Sequence, residues 1–521
     1  MEMNRSRNAT RNIIFGVILK IYQLVLPFAM RTIIMYELGV KYLGLNSLFT
    51  SILQVLNLAE LGVGSAMVFS MYKPIAQEDS RTICALMKLY KIYYRLIGLV
   101  VLAAGLILLP FIPKLIAGDV PDGINIYVLY LLNLMATVFT YWLFAYKNSI
   151  LQAHQRQDVI SKVTIVTDTC KYILQIGMLF SFHNYYYYVC VLLLSQIFNN
   201  ILTALVSNKL YPQFQAEGKL PKETVKEINQ KIKDLFTSKL GFTIVSSADT
   251  VVISAFLGLE ALAIYQNYYY IVNAVIGFVT IIYSSITAGV GNSMIVCDTE
   301  KNYHDFQIFT FLACWILAFS VSCFSGLFQP FMKLWMGTDL LLPYPLVILL
   351  CVYFWVYEYI MMASVYKDAG GIWHEDRFRP LISGLVNLSL NLLTVKFLGL
   401  YGIVLSTIVS MVVISAPWIT SNIFKLIFKR SAKEYVAKLG YYLFTAIVAT
   451  TVTNIGIKFI PDNGWLWFVV KAAVCVAVSN ATIFLMMFRV QEFSDAVWLI
   501  ARMFHAEKLV QKLKLNKERE K

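Results

Sequence analysis

The chain has 521 residues, of which 59% are hydrophobic and only 14% charged, with a net charge of +14 and a mean hydropathy of +0.66. A soluble domain carries roughly 25% charged residues, so this chain has too little polar surface to cover one water-exposed core, and the same balance excludes disorder. A polytopic membrane protein remains, because about fourteen spans of about 20 residues each would use a little over half of the chain.

In chain order, Met1 to Asn12 is polar and basic. The long apolar stretch after it lacks a small-residue cleavage site and reads as a first span, not a removable signal. Apolar runs then cover about 13–36, 45–70, 88–112, 125–147, 163–182, 185–207, 238–257, 262–290, 307–330, 344–366, 380–396, 402–424, 440–459 and 465–488. They are continuous, not alternating, so they read as helices that satisfy their own backbone groups in hydrocarbon. Turn residues such as Pro121-Asp122-Gly123 and Pro461-Asp462-Gly464 fill the connectors.

Charge tests this count. With both termini cytoplasmic, 34 of the 44 Lys and Arg residues fall on cytoplasmic connectors, 5 on outside connectors and 5 within spans. That asymmetry sets the orientation of a multi-pass protein of the plasma membrane. The net positive charge is then an orientation signal beside anionic lipid, not a nucleic-acid footprint.

The longest connector is polar, cytoplasmic and mid-chain. It divides the chain into a six-helix bundle (1–207), a linker (208–237), a second six-helix bundle (238–425), an extra helix pair (426–488) and a basic cytoplasmic tail (489–521). Thr224 to Leu235 reads as a short charged helix, and His505 to Lys521 as an amphipathic surface helix or a solvated tail. The fold class is therefore an all-α polytopic membrane protein of about 14 transmembrane helices.

Catalytic and metal signatures are missing from the sequence. The eight cysteines form no C-x-x-C pair and read as small buried hydrophobes. The five histidines are scattered over different connectors, and no Walker A, H-E-x-x-H or G-x-S-x-G motif occurs. The connectors are too short to hold an active site, so the chain reads as no enzyme, with no metal and no use of ATP.

The halves carry traces of duplication. ELGVKYLGLNSLFTSIL from Glu37 and FLGLEALAIYQNYYYIV from Phe256 both place Leu-Gly at a helix end before a long helix. LGVGSAMVFSMY from Leu61 and ITAGVGNSMIV from Ile286 are both small-residue segments ahead of charged loops. From Leu385, Asn387 and Asn391 lie one turn apart on one helix face. Gly399 and Gly402 follow, and then Ser406 and Thr407.

On these residues the chain resembles the polysaccharide-type flippases of the multidrug/oligosaccharidyl-lipid/polysaccharide exporter superfamily, from about Asn12 to Lys425. The matching positions are Leu38, Gly39, Tyr42, Gly44, Leu45, Leu61, Gly62 and Gly64, then Asn387, Asn391, Gly399, Gly402 and Thr407. The resemblance implies two pseudo-symmetric six-helix bundles around a central cavity and alternating access. It implies export of undecaprenyl-pyrophosphate-linked oligosaccharide repeat units, with polysaccharide-assembly proteins as further partners. The alternatives are a drug/cation antiporter of the same superfamily and a membrane polysaccharide polymerase or glycosyltransferase.

Charged residues within spans mark candidate sites, because a charge at mid-bilayer costs at least ~2.5–3.5 kcal/mol. Lys20 and Arg31 are eleven residues apart and share a helix face, with Pro27 between them. They are candidate ligands for the pyrophosphate of a lipid-linked sugar, Arg31 bidentately; the alternative is that Lys20 snorkels and Arg31 pairs with Glu37 or Glu60. Arg95 is a third candidate cation. Asn267 and Tyr268 are candidate sugar contacts. Asp249, among hydroxyl residues, and Glu358, among aromatics, are candidates for coupling a proton or a sodium ion, and no other cofactor is implied. Asp168 and Lys171 read as a local i, i+3 pair, and Lys471 as packed or snorkelling.

Overall fold

The computed structural model describes residues 5–60 and 62–503, so Leu61 and the tail from His505 to Lys521 lie outside the described residues. Among the described residues every regular element is a helix. Contacts divide the chain into two compact units, Met1–Gln266 and Asn267–Lys521.

The first unit begins with α1 (Arg5–Glu37), α2 (Val40–Leu56) and α3 (Val63–Ala76). It continues with α4 (Ser80–Leu108), α5 (Ile126–Trp142), α6 (Lys147–Ala153), α7 (Gln157–Phe182) and α8 (Tyr185–Leu210). Short polar side chains start several of these helices by accepting from amides of the first turn. Asp79 accepts from the Thr82 amide at 3.1 Å, Asn125 from Tyr127 at 3.1 Å, and Asn184 from Tyr186 at 2.8 Å. The hydrogen bonds from Thr82 hold the Asp79 carboxyl below the ordinary carboxylate range. Helix α9 (Lys222–Val296) runs on into the second unit.

The second unit follows with α10 (Thr299–Met336), α11 (Tyr344–Ala369), α12 (Arg379–Leu398), α13 (Leu400–Ser410) and α14 (Ala416–Asn422). Next come α15 (Lys433–Ile457), α16 (Trp465–Met487) and α17 (Gln491–Met503). Two π-helical turns, Met411–Ser415 and Ile423–Phe428, join α13 to α14 and extend α14.

Eleven of the described helices are long and apolar enough to cross a membrane, or twelve when α5 and α6, bent by 58°, are taken as one span. The expected count of fourteen is thus approximate, for two reasons. The run at 45–70 is not one helix: it unwinds at a 3-10 turn, Asn57–Glu60, and at Gly62, which takes φ 89°. The runs at 238–257 and 262–290 form a single helix, α9, whose path changes only at Gly258 (φ 89°, ψ 175°).

Each unit shows the same neighbour order. In the first, α7 packs on α8, α8 on α5, and α5 on α4. In the second, α12 packs on α13, α13 on α11, and α11 on α10. The fifth, sixth, fourth and third spans of each half thus repeat one arrangement, as expected for two pseudo-symmetric bundles. The start of α9 packs with the first unit: the Ala117 amide donates to the Ser254 carbonyl at 2.8 Å, and the Tyr93 hydroxyl to Asn229 at 2.6 Å.

The extra pair, α15 and α16, packs on α10. Polar groups join them where apolar area alone gives little drive within lipid. Asn454 donates to Ser325 at 2.8 Å, and Trp315 donates to Asn480 at 3.0 Å. Lys471 is buried and ion-paired to Asp462 across the turn into α16. After the pair, α17 is held by Lys438–Glu492 and by Phe493 stacked on Trp315.

Candidate functional site

The candidate cations all sit in the first unit. On α1, Lys20, Pro27 and Arg31 fall within one narrow stripe, by the 3.6-residue repeat. Tyr22 lies on the opposite side, where its hydroxyl and that of Thr169 on α7 are 2.5 Å apart. Packing against α7 therefore uses the other face, and Lys20 stays exposed. Arg31 is half-buried, with its charge beside the Tyr188 hydroxyl of α8. Of the two carboxylates nearby in sequence, Glu37 lies 3.0 Å from His183, and Glu60 accepts from Tyr94 at 2.8 Å. Arg95 is exposed on α4, and its carbonyl accepts from the Trp142 indole at 3.2 Å.

The unwound turn after α2 carries a cluster that sequence reasoning missed. Tyr90 donates to Tyr94 at 2.6 Å, and Tyr94 to Glu60. Tyr141 donates to Asn57 at 3.0 Å, and its ring meets Tyr94 edge-on at 5.5 Å. A broken helix, a carboxylate and three tyrosines thus meet at one place, which is how many transporters build polar sites at membrane depth. The signal lay in Glu60-Leu61-Gly62-Val63-Gly64: two glycines and an acid do not continue an apolar helix. The i, i+4 spacing of Tyr90 and Tyr94 supplied the other half.

Asp249 also belongs to the first unit and is half-buried on α9. Ser247 and Thr250 beside it are buried, and Gln266 donates to Thr250 at 2.9 Å.

The other candidates sit in the second unit. Asn267 and Tyr268 are fully buried. Tyr268 donates to Gln329 at 3.0 Å and accepts from the Leu342 amide at 3.2 Å, and Gln329 in turn donates to the Leu342 carbonyl at 2.6 Å. Asn267 reaches the Met336 sulfur at 3.8 Å. These contacts tie α9 to α10 and to the connector after it. Glu358 is fully buried on α11, and neither carboxylate oxygen has a hydrogen-bond partner among the described residues. Tyr283 of α9 lies near it.

The Asn387 and Asn391 pair does share one face. Asn387 donates to Thr407 of α13 at 2.8 Å, and Asn391 donates to Asn387 at 3.3 Å. Asp168 and Lys171 form the local pair at 2.7 Å.

A model of the family described as polysaccharide biosynthesis protein matches residues 9–287. The chain belongs to that family. No curated protein matches it in sequence. Its fold is similar to that of several solved membrane transport proteins. The lipid II flippase MurJ in an inward closed conformation matches with a TM-score of 0.64, at 14% identity, over 91% of this chain and 99% of that one. An inward-facing multidrug resistance MATE family transporter matches with a TM-score of 0.59, at 17% identity, over 80% of this chain and 99% of that one. A superfamily transporter from Pyrococcus furiosus matches with a TM-score of 0.52, at 15% identity, over 81% and 97%.

This member of the polysaccharide biosynthesis protein family is a multi-pass membrane protein with the fold of the superfamily's flippases and exporters. Within that fold, the candidate cations Lys20, Arg31 and Arg95 and Glu60 belong to the first unit and Glu358 to the second.

Proposed function

We propose that this chain is a flippase that moves undecaprenyl-pyrophosphate-linked oligosaccharide repeat units from the cytoplasmic to the outer leaflet of the plasma membrane by alternating access. The observation that carries the reading is the family match over residues 9–287 on a fold similar to that of a lipid II flippase. Arg31 supports it: it is a half-buried guanidinium on α1, four residues after Pro27, and a guanidinium is suited to hold a pyrophosphate bidentately. Lys20 and Arg95, exposed on α1 and α4, extend the positive field for an anionic cargo. Both termini are cytoplasmic in this reading, and no step is catalytic.

Coupling to a proton or a sodium ion runs through Glu358, whose buried carboxylate has no hydrogen-bond partner among the described residues. Asp249 is the alternative coupling group. The buried Glu358 and the Tyr94–Glu60 contact also favour a second reading, export of a cationic drug by antiport, since carboxylates suit a cation.

Depletion separates the two. A flippase leaves lipid-linked glycan accumulating on the cytoplasmic face, measured by its protection from an added periplasmic glycosidase. Arg31→Ala, reaching the membrane at the wild-type level, gives the same accumulation. Unchanged glycan exposure on depletion, with increased drug sensitivity, overturns the flippase reading.

A further inference from the structure

In the second unit an open cavity of about 570 Å³ lies between α11, α14 and the first turns of α15. Its wall includes Tyr359, Ala416, Thr420, Phe424, Val436 and Leu439. The hydroxyls of Tyr359 and Thr420 in this wall are already satisfied. Tyr359 and Thr420 share a hydrogen bond of 2.6 Å, and Thr420 donates onward to the Ala416 carbonyl at 2.7 Å. To an occupant the wall is therefore apolar.

The rim differs sharply. The π-helical turn Ile423–Phe428 ends at Lys429, which takes φ 51°, and the Arg430 amide closes back on the Phe424 carbonyl at 3.1 Å. Helix α15 then starts three residues later. This reversal gathers Lys425, Lys429, Arg430, Lys433 and Lys438 within one short stretch, against the single acid Glu434. Two of the five are committed. Arg430 forks onto Glu300 at 2.9 and 3.2 Å and stacks over Tyr303, and Lys438 pairs with Glu492. Lys425 lines the cavity, and Lys429 and Lys433 flank the lining residues Arg430, Ser431 and Ala432; all three lysines are exposed, and none makes an ion pair among the described residues. The first turn of α15 adds amides that have no partner within the helix.

We propose that this cavity binds an anionic phospholipid of the bilayer, with one acyl chain against the apolar wall and the phosphate at Lys425, Lys429, Lys433 and the start of α15. Charge complementarity selects the headgroup: a zwitterionic lipid would set its own cation among three lysines. Size selects the chain. The volume lies in the range of sites for drug-sized ligands, which suits one fatty acyl chain and is too small for a long polyisoprenoid. The bound lipid would sit where the extra helix pair joins the second bundle. The inference goes beyond the transport reading and stands without it.

Native mass spectrometry of the full-length protein, extracted from vesicles of equimolar phosphatidylglycerol and phosphatidylcholine, tests it. Phosphatidylglycerol adducts should exceed phosphatidylcholine adducts several-fold. The triple charge reversal Lys425→Glu, Lys429→Glu and Lys433→Glu should bring the two to parity, and Ala416→Trp, which fills the cavity, should lower both. Wild-type parity, or an excess that survives the triple reversal, overturns the proposal, as does selective displacement by a polyprenyl phosphate. Should the variants misfold, phosphatidylglycerol carrying a photoreactive acyl chain is bound to the unaltered protein. Label on Tyr359, Phe424 or Val436 supports the site, and label confined to other helices refutes it.

Discussion

Removal of the Asp158 carboxylate is the sharpest test of how the first bundle is held. Asp158 opens α7 with its side chain fully buried, and three cations surround it. Arg11 lies at 2.8 Å, Arg156 at 2.9 Å and Lys162 at 3.6 Å. The Asp158 amide donates to the Asn12 side chain at 2.8 Å, and Asn12 donates to the Gln155 carbonyl at 2.9 Å. The start of α1 is thus fastened to the start of α7. Asp158→Ala leaves three cations facing one another without their common counter-ion, and breaking a buried pair from one side costs about 3–5 kcal/mol. The reverse truncations cost far less. Arg11 and Lys162 are 34% and 42% exposed, so Arg11→Ala and Lys162→Ala each cost under about 1 kcal/mol. Asp158→Asn keeps the shape and should fall between. The assay is loss of the monodisperse gel-filtration peak after a heat challenge in detergent, ranked by half-life because such unfolding is commonly irreversible. If Asp158→Ala survives heating as long as Arg11→Ala does, the carboxylate is not what joins these helices.

Three further outcomes follow from the geometry. Gly258→Ala places a side chain at φ 89° and ψ 175°, a region that only glycine occupies at no cost, with the Ala117 carbonyl 2.9 Å from the new Cβ. It should lose about 1–3 kcal/mol in the same heat challenge, whereas Gly177→Ala, with nothing within 4 Å, should move little. Asn387→Leu removes the donor to Thr407 and the acceptor of Asn391. The expected loss is about 1 kcal/mol, and a double variant with Thr407→Val should lose less than the two single losses added together. His154 stacks on Tyr211 with ring centroids 4.4 Å apart, and burial pushes its imidazole below the ordinary value of 6.5. The fold therefore favours the neutral ring. Its contribution is complete above pH 6.5 and is lost as the pH falls further, through the depressed value. His154→Gln should flatten the acid side of the stability profile, and an unchanged profile would show that His154 does not set it.

The membrane class, the apolar segments and several helix starts were legible in the sequence. Apolar runs partition into hydrocarbon whatever they pack against, and Asp79, Asn125 and Asn184 cap helices through bonds that span only two or three residues. The local pair Asp168–Lys171 and the shared face of Asn387 and Asn391 were legible for the same reason: helical periodicity alone brings those groups together. The break in the second run was written in its glycines but was hidden by an averaged hydropathy, which does not register two residues that unwind a helix.

Partner choice, by contrast, came from tertiary structure. Nothing local joins Asn12 to Asp158, which are 146 positions apart, or Tyr94 to Glu60, 34 apart. Packing turns the Tyr268 hydroxyl onto Gln329 and Leu342, 61 and 74 positions away. The sequence by itself determined that this protein lives in a bilayer and where its apolar segments lie, because transfer into hydrocarbon is a property of each segment alone. Which charges stand exposed, which are clasped, and where a cavity meets a basic rim were decided only when helix faces met, because those outcomes depend on pairs of segments brought together across the chain.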